Sequence, residues 1–135
     1  MKKIIIDAEN AIMGRLASYV AKRALSGNEV IVVNCEKTLI SGRKENIIED
    51  YKAKRSLNRM KPTKGPYFSR QPDRILKRAI RGMLPDFRRG RGKEAWKKIK
   101  CYIGIPEEFK KEKIEKIKVK ISKKNMNLQE LKERI

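Results

Sequence analysis

The chain has 135 residues and carries 36 Lys and Arg against 16 Asp and Glu, a formal net charge of +20 at pH 7. This length suits one hydrophobic core and is short for two domains. The sequence lacks histidine, which excludes His-dependent catalytic triads, and two cysteines are too few for a structural zinc site. No apolar run approaches the ~20 residues of a membrane helix or forms a signal-peptide core. We therefore expect a cytoplasmic protein without a metal or other cofactor.

Most of the net charge lies in the middle of the chain. Residues 51–100 hold 18 Lys and Arg against three acidic residues, a net of +15. Such a segment repels itself unless a polyanion neutralises it, and the commonest cytoplasmic polyanion is nucleic acid. The sequence therefore predicts a basic nucleic-acid-binding surface on a nearly neutral body.

The first 57 residues have the pattern of a strand–helix–strand unit followed by another helix. Lys3–Asp7 is predicted to be a buried strand, and apolar residues every four positions from Ile12 to Ala24 predict a helix capped by Asn10. The β-branched run Val30–Val33 favours a central parallel strand covered by helices on both sides. A second helix is predicted from Arg43 to about Leu57.

Residues 58–72 contain three prolines and a glycine, which exclude a regular helix or strand. The segment is basic and has no acidic residue, so we expect an exposed, extended arm that is mobile until it binds RNA. Tyr67 and Phe68 are open to two interpretations. Each ring either stacks on an unpaired base or anchors the arm to the protein body.

An amphipathic helix is predicted to begin at Pro72 and to end near Gly82. One side is apolar, and the other carries Arg74, Lys77, Arg78 and Arg81 at positions i, i+3, i+4 and i+7. Solvated helix faces usually mix charge signs, so four cations together indicate phosphate binding. Arg88–Lys93 is predicted to be a second cationic loop. Its Gly-x-Gly follows a helix and not a strand, which argues against a nucleotide site.

The last third of the sequence gives weaker patterns. We expect a helical turn around Trp96, a strand at Ile99–Ile103, and an edge strand or extended tail at Ile114–Ile121. Asn127 and Glu130 have the spacing of a capping box before a short amphipathic helix. Cys35 and Cys101 are interpreted as small buried apolar residues.

Three segments, in this order and spacing, resemble the L-thirteen family of large-subunit ribosomal proteins: IDAENAIMGRLASYVAK, VIVVNCEKTLISGRK and RAIRGMLPDFRRGRG. The resemblance covers residues 4–109 and favours the archaeal and eukaryotic branch. It implies an α/β fold, three-layer α/β/α, with a small, largely parallel sheet of about four strands. Residues 1–135 would form a single domain, with 110–135 as a C-terminal extension.

The resemblance also implies a non-catalytic role. The protein would be a structural constituent of the large ribosomal subunit, present once per ribosome and not as a homo-oligomer. It would contact large-subunit rRNA and neighbouring ribosomal proteins and support subunit assembly and translation. The residues implied in rRNA binding are Lys52, Lys54, Arg55, Arg59, Lys61, Lys64, Tyr67, Arg70, Arg74, Lys77, Arg78, Arg81, Arg88, Arg89, Arg91, Lys93 and Lys97.

Two other functions fit the sequence less well. An RNA- or nucleotide-processing enzyme would need a general base, metal-binding carboxylates or a phosphate loop, and the basic region offers three acids in fifty residues. A DNA-binding regulator would need a helix-turn-helix or a symmetric dimer surface, and neither pattern is found.

Overall fold

A computed structural model describes residues 2–57, 68–117 and 123–135 of the chain. Within these ranges no helix is long and apolar enough to cross a lipid bilayer. The elements in chain order are β1 (Lys3–Asp7), α1 (Met13–Leu25), β2 (Glu29–Val33), a 3₁₀ helix (Cys35–Lys37), β3 (Leu39–Ser41), α2 (Lys44–Ser56), α3 (Pro72–Gly82), α4 (Gly90–Lys97), β4 (Ile99–Cys101), a second 3₁₀ helix (Glu107–Phe109), β5 (Ile114–Lys116), β6 (Asn125–Asn127) and α5 (Leu128–Arg134).

A four-stranded sheet in the order β4-β2-β1-β5 forms the centre of the molecule, and every neighbouring pair is parallel. The strands β1 and β2 are buried on both faces, which explains their unbroken runs of isoleucine and valine. Ile5 of β1 pairs with Ile31 of β2 on one side and with Ile114 of β5 on the other. The predicted α/β fold with a parallel sheet of four strands is confirmed.

The two faces of the sheet are covered unequally. Ile6 and Val32 point into the larger core, where they meet buried residues from all five helices, including Leu16 of α1 and Leu76 of α3. On the opposite face Ile5, Ile31 and Val33 pack with Phe109 of the second 3₁₀ helix. Among the described residues, the outer layer on that side is therefore a single short turn, whereas the helices share the other side.

Two local predictions were wrong, each for a backbone reason. Asn10 does not cap α1, because it adopts a left-handed conformation (φ 60°) in the turn before the helix, and Ile12 takes the N-cap position. The predicted cationic loop Arg88–Lys93 is mostly helix, because α4 begins at Gly90. Gly90 has φ +63°, so glycine turns the chain into the helix here.

The segment after residue 110 is built into the fold. β5 extends the central sheet, and β6 pairs with β3 in a separate antiparallel ladder. One half of the predicted capping box is confirmed, because Oδ1 of Asn127 accepts a hydrogen bond of 2.7 Å from the Glu130 amide, whereas the Glu130 carboxylate pairs with Lys44 and Arg134. Leu128 and Leu131 of α5 are fully buried. The pairing of β3 with β6 was not foreseen from the sequence, and residues 118–121 of the predicted edge strand lie outside the described residues.

Candidate nucleic-acid interface

Helix α3 supplies the centre of the candidate interface. Pro72 takes the first helical position, and Ile75, Leu76 and Ile80 are buried against the sheet and neighbouring helices. This burial fixes the rotation of the helix about its axis. The predicted basic residues therefore emerge on the outer side, with Arg74 exposed and Lys77, Arg78 and Arg81 half-buried.

The half-buried cations lie over aromatic rings. The Arg78 guanidinium carbon is 3.7 Å from the ring centroid of Phe68, and the Lys77 Nζ is 4.8 Å from that of Trp96. Contacts of this kind hold a cation by electrostatic attraction to the ring face. A guanidinium stacked in this way keeps N–H donors at its edge, where a phosphate oxygen can accept them. We call the eight residues of this surface the cation–aromatic cluster: Phe68, Arg74, Lys77, Arg78, Arg81, Phe87, Arg88 and Trp96.

Phe87 extends the cluster toward α4. Its ring centroid lies 4.7 Å from the Arg81 guanidinium and 5.4 Å from that of Arg88. Phe87 and Trp96 also meet edge to face, with ring centroids 6.3 Å apart. The aromatic rings therefore tie together the cations of α3 and the segment before α4.

Phe68 connects the cluster to α2. Its ring meets Tyr51 edge to face at 6.5 Å, and the Lys54 Nζ lies 5.5 Å from its centroid. Burial, followed by the nearby charge of Asp50, raises the pKa of Tyr51, so its phenol stays neutral at physiological pH. Of the two interpretations of Phe68, these contacts match anchoring to the protein body. Tyr67 lies outside the described residues.

A cleft of about 260 Å³ lies among the residues of the cluster. Its charged lining residues, within the part of the chain that the structure describes, are Arg74, Lys77, Arg78 and Arg81, and no carboxylate lines it. The described lining therefore presents positive charge and hydrogen-bond donors to a ligand. This chemistry suits the binding of phosphate groups.

Helix α4 holds the second group of predicted cations. Arg91, Lys93 and Lys97 are exposed on it. Just before the helix, Arg89 pairs with the carboxylate of Asp86 at 3.2 Å, and both side chains are largely exposed. Such an exposed pair contributes little stability and leaves Arg89 accessible to an anion.

The remaining predicted residues have varied surroundings. Lys52 is exposed on α2. Arg55 donates a hydrogen bond of 2.7 Å to the main-chain oxygen of Ile135, and Arg70 donates one of 3.1 Å to that of Lys132. Both arginines thus hold the C-terminal segment in place, and their contact with RNA stays a prediction. Arg59, Lys61, Lys64 and the rest of residues 58–67 lie outside the described residues.

The candidate reactive groups elsewhere have structural roles. The carboxylate of Asp7 is buried and accepts hydrogen bonds from the Asn34 amide at 3.0 Å and the Glu9 backbone at 2.9 Å. A hydrogen bond with Cys101, together with burial, raises the pKa of the Cys35 thiol far above its usual range, so the thiol stays protonated at physiological pH. Among the described residues, no group of three or more Cys, Asp or Glu is placed to hold a metal ion.

Sequence comparison agrees with a cationic binding surface. Residues 1–108 match the family model described as Ribosomal protein L13. The chain belongs to this family. It is 53% identical to the "Large ribosomal subunit protein uL13" of Methanococcoides burtonii, over 78% of this chain and 73% of that protein. Proteins of the same name from Methanococcus maripaludis and Archaeoglobus fulgidus are 50% and 46% identical, over 77% and 84% of this chain and 77% and 70% of their own lengths.

The family membership confirms two expectations from the sequence. These relatives are archaeal, as the resemblance favoured. The family is one of ribosomal proteins and not of enzymes, which confirms the expected non-catalytic role. Sequence reasoning missed the part that Phe87 and Trp96 take in the cluster. Both aromatic residues lie within the most basic segment of the sequence, and that position could have indicated contacts with the cations.

Proposed function

We propose that the protein is a structural constituent of the large ribosomal subunit and binds large-subunit rRNA through the cation–aromatic cluster. The observation that carries this proposal is the cleft on α3, where four cations meet without a carboxylate. The names of the archaeal relatives support the ribosomal setting. In this role one copy sits in each cytoplasmic ribosome beside neighbouring large-subunit proteins and supports subunit assembly and translation.

The geometry of the cluster explains how such binding gains affinity. Each cation that meets a phosphate releases condensed counterions from the RNA. Lys77 and Arg78 already rest on aromatic rings, so less side-chain freedom is lost when RNA binds. Phosphate contacts position the protein, whereas the shape of the folded RNA supplies discrimination.

A charge-reversal variant tests the proposal. Arg74, Lys77, Arg78 and Arg81 are changed together to Glu, and binding to large-subunit rRNA is measured by filter binding. We expect a loss of affinity of at least about 100-fold, since four phosphate contacts become repulsions. The matched control reverses four exposed lysines elsewhere in the chain: Lys2, Lys110, Lys111 and Lys113.

The control carries the same total charge as the variant, so it separates local contacts from net charge. Circular dichroism verifies that both remain folded. Equal affinity of the folded variant and the control would refute the proposed surface. In cells, the tagged wild-type chain should sediment with large-subunit fractions, and the charge-reversal variant should remain at the top of the gradient.

A further inference from the structure

A second basic cleft lies at the opposite end of α2 from the cation–aromatic cluster. It has a volume of about 430 Å³ and is formed where the start of α2 meets the β3–β6 ladder. Its lining residues are Gly42, Arg43, Lys44, Glu45, Lys123, Lys124 and Asn125. None of these residues was predicted to bind RNA.

Backbone pairing brings the two halves of the second basic cleft together. Ser41 and Asn125 are paired residues in the antiparallel ladder, and the Gly42 amide donates a hydrogen bond of 3.0 Å to the main-chain oxygen of Lys124. Arg43 therefore lies on the same surface as two lysines that are distant in sequence. Folding therefore joins two short basic segments, Arg43-Lys44 and Lys123-Lys124, into one positively charged cleft.

The second basic cleft is lined by more basic than acidic side chains. In the part of the chain that the structure describes, the lining holds four basic residues against one acid, Glu45. Lys44 also pairs with Glu130 at 3.1 Å, but its side chain is 48% exposed, so the attraction is weak and screened by salt. Arg43 and Lys123 are both exposed. The local excess of positive charge favours an anionic occupant.

This cleft is separate from the cation–aromatic cluster. The two lie at opposite ends of α2, whose 13 residues span roughly 20 Å at 1.5 Å per residue. Between them α2 exposes two acids, Glu49 and Asp50. An occupant that touches both surfaces must be long and must pass this acidic stretch, as a strand of RNA can by bending away from it.

The lining also distinguishes an RNA from a protein partner. Protein interfaces are centred on aromatic or large apolar side chains that fill pockets. Among the described residues, every side chain that lines the second basic cleft is charged or polar, and Gly42 has none. We infer that this cleft binds the phosphodiester backbone of rRNA, so that one RNA contacts the protein at both ends of α2. The inference rests on the function proposed above.

A triple variant, R43Q/K123Q/K124Q, tests the inference in the full chain. Binding to large-subunit rRNA is measured by filter binding across a series of salt concentrations. We expect the slope of log K against log salt to fall by about 2 to 3, because each phosphate contact contributes about 0.7–0.9. We also expect affinity at low salt to fall about 10- to 100-fold, because two linked contacts strengthen each other.

The control replaces three exposed lysines elsewhere, as K22Q/K110Q/K111Q, and has the same net charge. If the triple variant and this control bind alike with equal salt slopes, the inference is overturned, whether the cleft is empty or holds an acidic protein segment. The charge-reversal variant of the cluster is measured in parallel. If the charge-reversal variant loses binding and the triple variant does not, this inference is overturned and the proposed function stands. If the charge-reversal variant binds as the wild type does, the proposed function itself is overturned.

Discussion

Replacing Gly92 with alanine should destabilise the protein, although alanine is the better helix former. Gly92 is buried in the first turn of α4. An added Cβ would lie 2.5 Å from the Pro85 carbonyl oxygen and would also collide with that of Asp86. Both obstacles are backbone atoms, so no side chain can rotate away, and α4 must shift. Overpacking of this kind typically costs about 1–3 kcal/mol, against a helix-propensity gain of up to about 1 kcal/mol.

We therefore expect a net loss of roughly 1–2 kcal/mol, which in a domain of this size lowers Tm by about 3–10 °C. Reversible thermal unfolding followed by circular dichroism measures the shift. The matched control is Gly14→Ala in the first turn of α1, where the added Cβ would meet no described atom within 4 Å apart from its chain neighbours and the backbone of its own helix. It should raise stability by about 0.4–1 kcal/mol. A Gly92→Ala protein that melts at or above the wild-type temperature would refute the close-packing argument.

Three further predictions concern the buried core and the N-cap of α5. Leu131→Ala should cost about 2–5 kcal/mol in denaturant unfolding because Leu131 is fully buried, whereas exposed Gln129→Ala should change stability by less than about 0.5 kcal/mol. Asn127→Ala removes the cap of α5 and should cost about 1 kcal/mol, and an unchanged midpoint would contradict the capping role. The pKa of Cys35 is raised in the folded state, so above the unfolded pKa of about 8.5 the thiol loses its proton in the unfolded chain first. The free energy of unfolding is therefore unaffected by this thiol below about pH 8.5 and falls as the pH rises above it. Between pH 9 and 10 the wild type should lose up to about 1.4 kcal/mol more than Cys35→Ala, and parallel pH profiles would exclude this linkage.

The parts of the fold that the sequence predicted well are those with strong local patterns. Lys3–Asp7 is a strand at its predicted boundaries, and β2 begins one residue earlier than expected, because both are uninterrupted apolar runs. Helix α3 also begins where Pro72 indicated. The side of α3 that faces outward followed from periodicity alone.

The errors arose where tertiary contacts decide the structure. Arg88–Lys93 has the glycines and charges of a loop, yet α4 forms because Gly92 packs closely on the preceding backbone and Ala95 is buried. β3 and β6 have three residues each, too few for a clear local pattern, and they form an antiparallel ladder with each other. In the interface, the cations could be found by their charge. Their contacts with Phe87 and Trp96 depend on the folded arrangement of α3 and α4, which local sequence does not encode.

The place of β5 beside β1 has a consequence for how the chain matures during synthesis. Elongation delivers the residues of the cation–aromatic cluster, up to Trp96, before Ile114–Lys116 closes the edge of β1 and before Leu131 fills the core. At about 5–20 residues per second, this order leaves an interval of a few seconds. During it the nascent chain already attracts any polyanion, while β1 still has an unpaired edge. Binding of an unrelated RNA to the nascent chain would compete with the pairing of β5 on β1. A partner that covers the basic segment early would therefore favour correct folding.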